Sequence, residues 1–181
     1  MISLDLGAGP KFVRPELLLH PCIPPKLYGV NPRTIRGEEW WDATRKAAYA
    51  ANNYHCEACG VHQLDAEYKQ VLEAHECYEY DVSTYTAKMV SVVALCLYCH
   101  QFIHWGRLSK VKGRTYLKKI ILRGLDILYL AGQPLPVERL SAARSLLCIN
   151  SMKYRGRAVC EPPFTVSEYL STKWHLEIEE V

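Results

Sequence analysis

Nowhere in the 181 residues does an apolar stretch approach the roughly 18 positions of a membrane-crossing helix. The chain also holds no low-complexity tract and no internal repeat. These absences argue against an integral membrane protein, a repeat array and a long disordered segment. No secretory pattern opens the sequence, because the early apolar stretch ELLL after Pro15 is short and bracketed by prolines. A reduced, cytoplasmic setting is therefore expected, in which paired cysteines hold metal more often than each other. Acidic residues are scarce in one region: from Arg107 to Arg157 there are 12 Lys or Arg against only Asp126 and Glu138. The formal net charge of +3 hides this excess of 10 positive charges, balanced by an excess of 7 negative charges elsewhere. Such a basic half is the footprint expected of a phosphate-binding surface.

What is present fits a globular protein: 49% of residues are apolar and 23% charged, enough for a core. Residues 1–36 hold six of the ten prolines and are expected to form an extended arm packed on the surface. GEEWWDATRKAAYAANN then predicts a helix over about 38–52, acidic at its start, with Trp40, Ala43, Ala47 and Ala50 on its inner face. Two strands are expected, near 70–78 and 89–96, joined by a loop near 80–86. A short helix over about 99–105, closed by Gly106, should follow. Leu117, Ile120, Ile121, Leu125 and Leu128 make one helical stripe, ended by Gly132 and Pro134. A second helix from about Pro136 to Leu147 would complete a helical hairpin. The tail suggests a short capped helix and then a strand, since Trp174, Leu176 and Ile178 alternate with polar residues. The divisions expected are 1–36, 37–107 and a basic, mainly helical 108–181.

HCEACG at 55–60 and CLYCHQFIH at 96–104 each carry a CxxC pair, with 36 residues between Cys59 and Cys96. Two such knuckles deliver four thiolates to a tetrahedral ion, so Cys56, Cys59, Cys96 and Cys99 are the expected ligands of a structural Zn²⁺. The separation exceeds that of a common zinc ribbon and leaves room for a hairpin between the knuckles. Cys77, Cys148 and Cys160 lack partners at ligand spacing and are expected to pack as small apolar residues. His100 and His104 lie four apart on the expected helix, so their rings can converge on one ion.

LEAHECYEYD, at 72–81, lies between the knuckles. Together with ALCLYCHQFIHWG it resembles the HNH, or ββα-metal, endonuclease superfamily, in particular a bacterial and phage branch of small zinc-containing members. The likeness covers about residues 40–107 and rests on the tetracysteine pattern and the order of the histidines. It implies an α+β protein with a ββα-metal core and structural zinc, flanked by the proline-rich arm and helix and by the C-terminal helical hairpin. It also implies that His75 is the general base for hydrolysis of a phosphodiester, and that His100 and His104 hold a catalytic Mg²⁺, Mn²⁺ or Zn²⁺. Two positions depart from the pattern. Ala74 stands where the family usually has a metal-binding Asp or His, with Glu76 as the substitute carboxylate, and Ser91 falls near the usual middle Asn.

The leading expectation is an endonuclease acting on nucleic acid, DNA before RNA, in the cytoplasm of a bacterial or phage-infected cell. Arg107, Lys110, Lys112, Arg114, Lys118 and Lys119 would contact the phosphate backbone. Ala74 and Ser91 favour an alternative, an HNH scaffold without catalysis that binds nucleic acid or a protein. A third reading makes His75, His100 and His104 a hydrolytic zinc site with an open water position. Dimerisation stays open in each.

Overall fold

The computed structural model describes residues 13–67, 70–139, 141 and 158–178, without the side chains of 109–111. Its architecture is mixed α+β, with a small sheet and several helices. Proline at 15, 25 and 32 each starts a helical turn, where its missing N–H has no partner to lose. These turns are the 3₁₀ segments Pro15–Leu19 and Pro25–Leu27 and helix α1, Pro32–Arg36. The described part of the arm is thus neither wholly extended nor superficial. Leu17 and Leu18 are buried in the main core, because the first 3₁₀ turn carries three consecutive leucines that a surface strap would leave in water.

Helix α2, Glu38–Ala51, follows Gly37, whose φ of +91° suits a residue without Cβ. It lies over the sheet without fully burying any residue. Of the residues expected inside, Trp40 is half-buried but Ala43, Ala47 and Ala50 are exposed; Trp41, Ala48 and Tyr49 are half-buried in their place. The rings carry more apolar area than alanine methyls and set the helix rotation.

Strand β1, Leu72–Asp81, pairs antiparallel with β2, Thr86–Cys96, with His75 opposite Val93. Asp81 closes the connection, its Oδ1 accepting from the Ser83 N–H and hydroxyl at 2.8 and 2.6 Å. The register shifts between Cys77 and Tyr78, leaving Val90 unpaired on β2 as a bulge. The change of face after this bulge lets one strand serve two clusters. On β2, Val93, opposite His75, joins the main core, whereas Ala87, opposite Tyr80, packs with Leu27, Phe164 and Trp174.

The chain passes directly from β2 into α3, Leu97–Ile103, breaks at His104, and continues as α4, Trp105–Val111. Gly106 therefore lies inside α4 rather than closing α3, and it lacks the left-handed φ of a glycine cap. An ideal Cβ at Gly106 would stand 3.9 Å from the Cys22 Sγ of the arm, an ordinary contact, so neither φ nor space calls for glycine there.

Helix α5, Arg114–Leu130, buries Leu117, Ile120, Ile121, Leu125 and Leu128 as the stripe predicts. Gly124 lets α3 and α5 close together, since a Cβ there would lie 2.1 Å from the Phe102 ring. Gly132, at φ +73°, follows the helix end. The expected helix begins directly after Pro136, which with Leu135 forms β3, Leu135–Pro136, paired parallel with β4, Val159–Cys160. A helical turn covers 137–139, and the remainder of the expected helix to Leu147 lies outside the described residues. Cys148 lies there as well.

In the tail, Thr165 and Glu168 form a capping box around α6, Val166–Tyr169. Strand β5, His175–Ile178, adds parallel to β2, giving the order β1-β2-β5. No helix among the described residues is long and apolar enough to cross a membrane.

Candidate metal centres and nucleic-acid interface

The two cysteine pairs flank the hairpin in sequence and meet in space. One candidate ligand atom from each of Cys56, Cys59, Cys96 and Cys99 lies within 4.8 Å of the other three. Gly60, at φ +74°, and the Gly60 N–H to Cys56 carbonyl bond of 2.8 Å close the first knuckle. The Glu57 N–H donates to the Ala94 carbonyl at 2.8 Å, and Glu57 Oε1 accepts from the Ala94 N–H at 3.0 Å, so the first knuckle is tied to the end of β2. The second knuckle arises where β2 becomes α3.

Cys59 Sγ and Cys96 Sγ stand 3.8 Å apart. Two thiolates about 2.3 Å from a tetrahedral ion would be separated by about 3.8 Å, so the spacing fits a single metal. Hydrogen bonding from neighbouring cysteines pushes the Cys96 thiol far down and the Cys99 thiol up. Four sulfur donors converging at this spacing have the chemistry of a cation site.

The second group contains His75 of β1, His100 of α3 and His104 at the α3–α4 break, again with ligand atoms within 4.8 Å. His104 Nε2 lies 3.2 Å from His75 Nδ1. Nitrogens about 2.0–2.1 Å from a tetrahedral ion would be about 3.3 Å apart, so this spacing also fits. Burial is the main reason His75 is held well below the ordinary imidazole value and His104 falls to about 3, with neighbouring positive centres adding to it. Neutral imidazoles are the form that binds metal.

Two partners absent from the sequence-based site complete this arrangement. Glu73 Oε2 accepts from His100 Nδ1 at 2.6 Å, leaving the other ring nitrogen for an ion. Strand alternation offers a sequence signal for Glu73, which is two residues from His75 and shares its face. His20 of the arm reaches the opposite side of His75, with Nδ1 3.1 Å from His75 Nε2. The 55-residue separation leaves no local pattern by which to find His20.

Glu76 lines one cavity together with His75, His104, His20, Tyr78 and Tyr80. It is not among the residues whose ligand atoms cluster around His75, and burial pushes its carboxyl upward. Ala74 pairs with Ala94 in the ladder, and Ser91 pairs with Cys77 rather than with His75. Glu73 is the carboxylate hydrogen-bonded to one of the imidazoles, while Glu76 shares the cavity of His75 and His104.

The basic residues divide by environment. Arg107, Lys112, Arg114 and Lys118 are exposed, and the Arg107 charge helps to lower His104. Lys112 also lies over the Tyr116 ring. Lys119 and Arg123 hold Glu67 at 2.8 and 3.0 Å beside Tyr98, and the Lys119 hydrogen bond leads the fall of Glu67 to about 2. The Lys110 side chain lies outside the described set. Arg139 is fully buried and therefore unavailable to a phosphate.

No family model, curated protein or solved structure matches the chain. The two clusters must therefore be read from their own geometry.

Proposed function

We propose that the protein is a metal-dependent endonuclease with an HNH-like ββα core, hydrolysing phosphodiester bonds in DNA in preference to RNA. The proximity of strand-borne His75 to helix-borne His100 and His104, on a hairpin-helix unit bounded by two cysteine pairs, carries this reading. The all-sulfur cluster suits a structural Zn²⁺. Its neighbour, built from imidazoles, suits a borderline divalent transition ion such as Zn²⁺ better than the harder Mg²⁺ or Mn²⁺.

In the leading mechanism, His75 takes a proton from water, whose oxygen attacks phosphorus in line as the leaving oxygen departs. A bound divalent ion supplies charge stabilisation at the phosphoryl oxygens. Glu73 orients His100 through the 2.6 Å contact. Arg107, Lys112, Arg114 and Lys118 position the nucleic-acid backbone without specifying bases.

The 4.8 Å grouping also favours a second role for His75, as a third nitrogen ligand in a hydrolytic site with an open water position. A plasmid-nicking assay with Mn²⁺ or Zn²⁺, joined to metal analysis, separates the roles. Loss of nicking in His75→Ala with the second ion retained supports the base role. Simultaneous loss of nicking and that ion supports the ligand role. The 3% exposure of His75 favours the alternative of a noncatalytic nucleic-acid- or protein-binding module. Folded protein that carries both ions but leaves single- and double-stranded DNA and RNA intact would favour that module over the nuclease.

A further inference from the structure

The arm crosses the hairpin where the sequence offers no ready partner for His75. Ser91, near the position expected to orient the base, is opposite Cys77. His20 faces His75 instead, with Nδ1 3.1 Å from Nε2, while the other His75 nitrogen faces His104 at 3.2 Å. One hydrogen bond between His20 and His75 requires one donor and one acceptor. If His75 Nε2–H donates to His20 Nδ1, His75 Nδ1 is left as a lone pair directed toward the imidazole cluster. That nitrogen is required by either role above.

The location of His20 is itself constrained. Arg139 donates through Nη2 to the His20 carbonyl at 2.9 Å and to the Ile103 carbonyl at 3.1 Å; its Nε reaches the Phe102 carbonyl at 3.4 Å. Glu138 accepts from Nη1 at 3.1 Å. One buried guanidinium thus joins the arm to the last turn of α3, immediately before His104. Leu17 and Leu18 anchor the same arm in the core.

We propose that His20 is a positioning residue for the imidazole site, holding His75 with its proton on Nε2 and its Nδ1 toward the reacting centre, while Arg139 fixes His20 against α3. This inference deepens the metal-dependent reading and rests on it for its catalytic consequence. The tautomer it assigns is observable independently.

The test uses full-length protein with zinc in the cysteine cluster and ¹⁵N-labelled histidine. Long-range proton–nitrogen NMR reads the His75 tautomer, and Co²⁺ titration reads the imidazole site. Wild type is expected to carry the His75 proton on Nε2. His20→Leu should lose that preference and weaken Co²⁺ binding roughly 10- to 100-fold, the usual effect of removing an outer partner from a ligating histidine. His20→Gln, which retains an acceptor, should restore the tautomer and most of the affinity. If the leucine variant also loses cysteine-bound zinc, His20→Ala tests the same contact without the branched side chain. A wild-type proton on Nδ1 overturns the proposal, as does unchanged tautomer and Co²⁺ affinity in folded His20→Leu. Wild type with the expected tautomer but no second metal instead overturns the metal reading and leaves the orienting contact supported.

Discussion

The cysteine and histidine clusters occupy adjoining parts of the hairpin-helix unit but depend on different scales of structure. Each cysteine pair is local: its CxxC spacing brings two sulfurs into one knuckle, and the β1–β2 ladder brings the knuckles together. The histidines come from a strand and the end of a helix, with a further histidine from the arm. Their geometry depends on helix packing and the buried Arg139 as well as on the hairpin. The cysteine cluster is therefore the expected fold determinant, and the imidazole cluster the site that can change without global unfolding.

The sharpest break in this comparison is removal of a cysteine ligand. Cys99→Ser should abolish zinc retention and the cooperative thermal transition, because structural zinc contributes on the order of 10 kcal/mol to folding in small metal-dependent domains. Metal analysis and circular dichroism check both outcomes. His100→Ala should retain the cysteine-bound zinc and a cooperative transition while losing the second ion. Equal loss of folding in the two variants would remove the proposed division of labour.

Arg139→Met tests the connection between arm and helix. Three backbone carbonyls lose a buried donor, giving an expected destabilisation of about 3 kcal/mol by urea unfolding. The cysteine-bound zinc should remain, but Co²⁺ binding at the imidazoles should weaken. Gly124→Ala approaches the same cluster through α5: its added Cβ meets Phe102 and should cost about 2 kcal/mol. Unfolding curves measured with and without the second metal distinguish general loss of stability from disruption of the histidine site.

The smallest effect is expected at the surface. Lys118→Ala should leave both metal contents unchanged and reduce the magnitude of the log-log salt slope for DNA binding by about 0.9, the loss of one phosphate contact. Lys119→Ala should reduce it less because Glu67 already engages that ammonium. Equal slopes for wild type and Lys118→Ala would remove Lys118 from the proposed backbone interface.

Several elements were visible before tertiary contacts because their signals are local. The repeated apolar spacing from Leu117 to Leu128 marks α5, the β-branched run marks β2, and the CxxC knuckles mark the cysteines that cluster closely enough to bind a metal. Local spacing failed at α2, where the larger Trp41 and Tyr49 side chains displaced the expected alanine stripe. It also failed at Gly106, which lies within α4 without a left-handed φ rather than ending α3.

The primary structure thus marked the four clustering cysteines and brought His100 and His104 to nearby helical positions through periodicity. Tertiary structure selected Glu73 as the partner of His100 and His20 as that of His75, and placed Glu76 in the cavity that His75 and His104 line. The physical reason is range: knuckle spacing and helical periodicity act over a few residues, whereas the 55-residue contact between His20 and His75 exists only after the arm packs and Arg139 binds three backbone carbonyls.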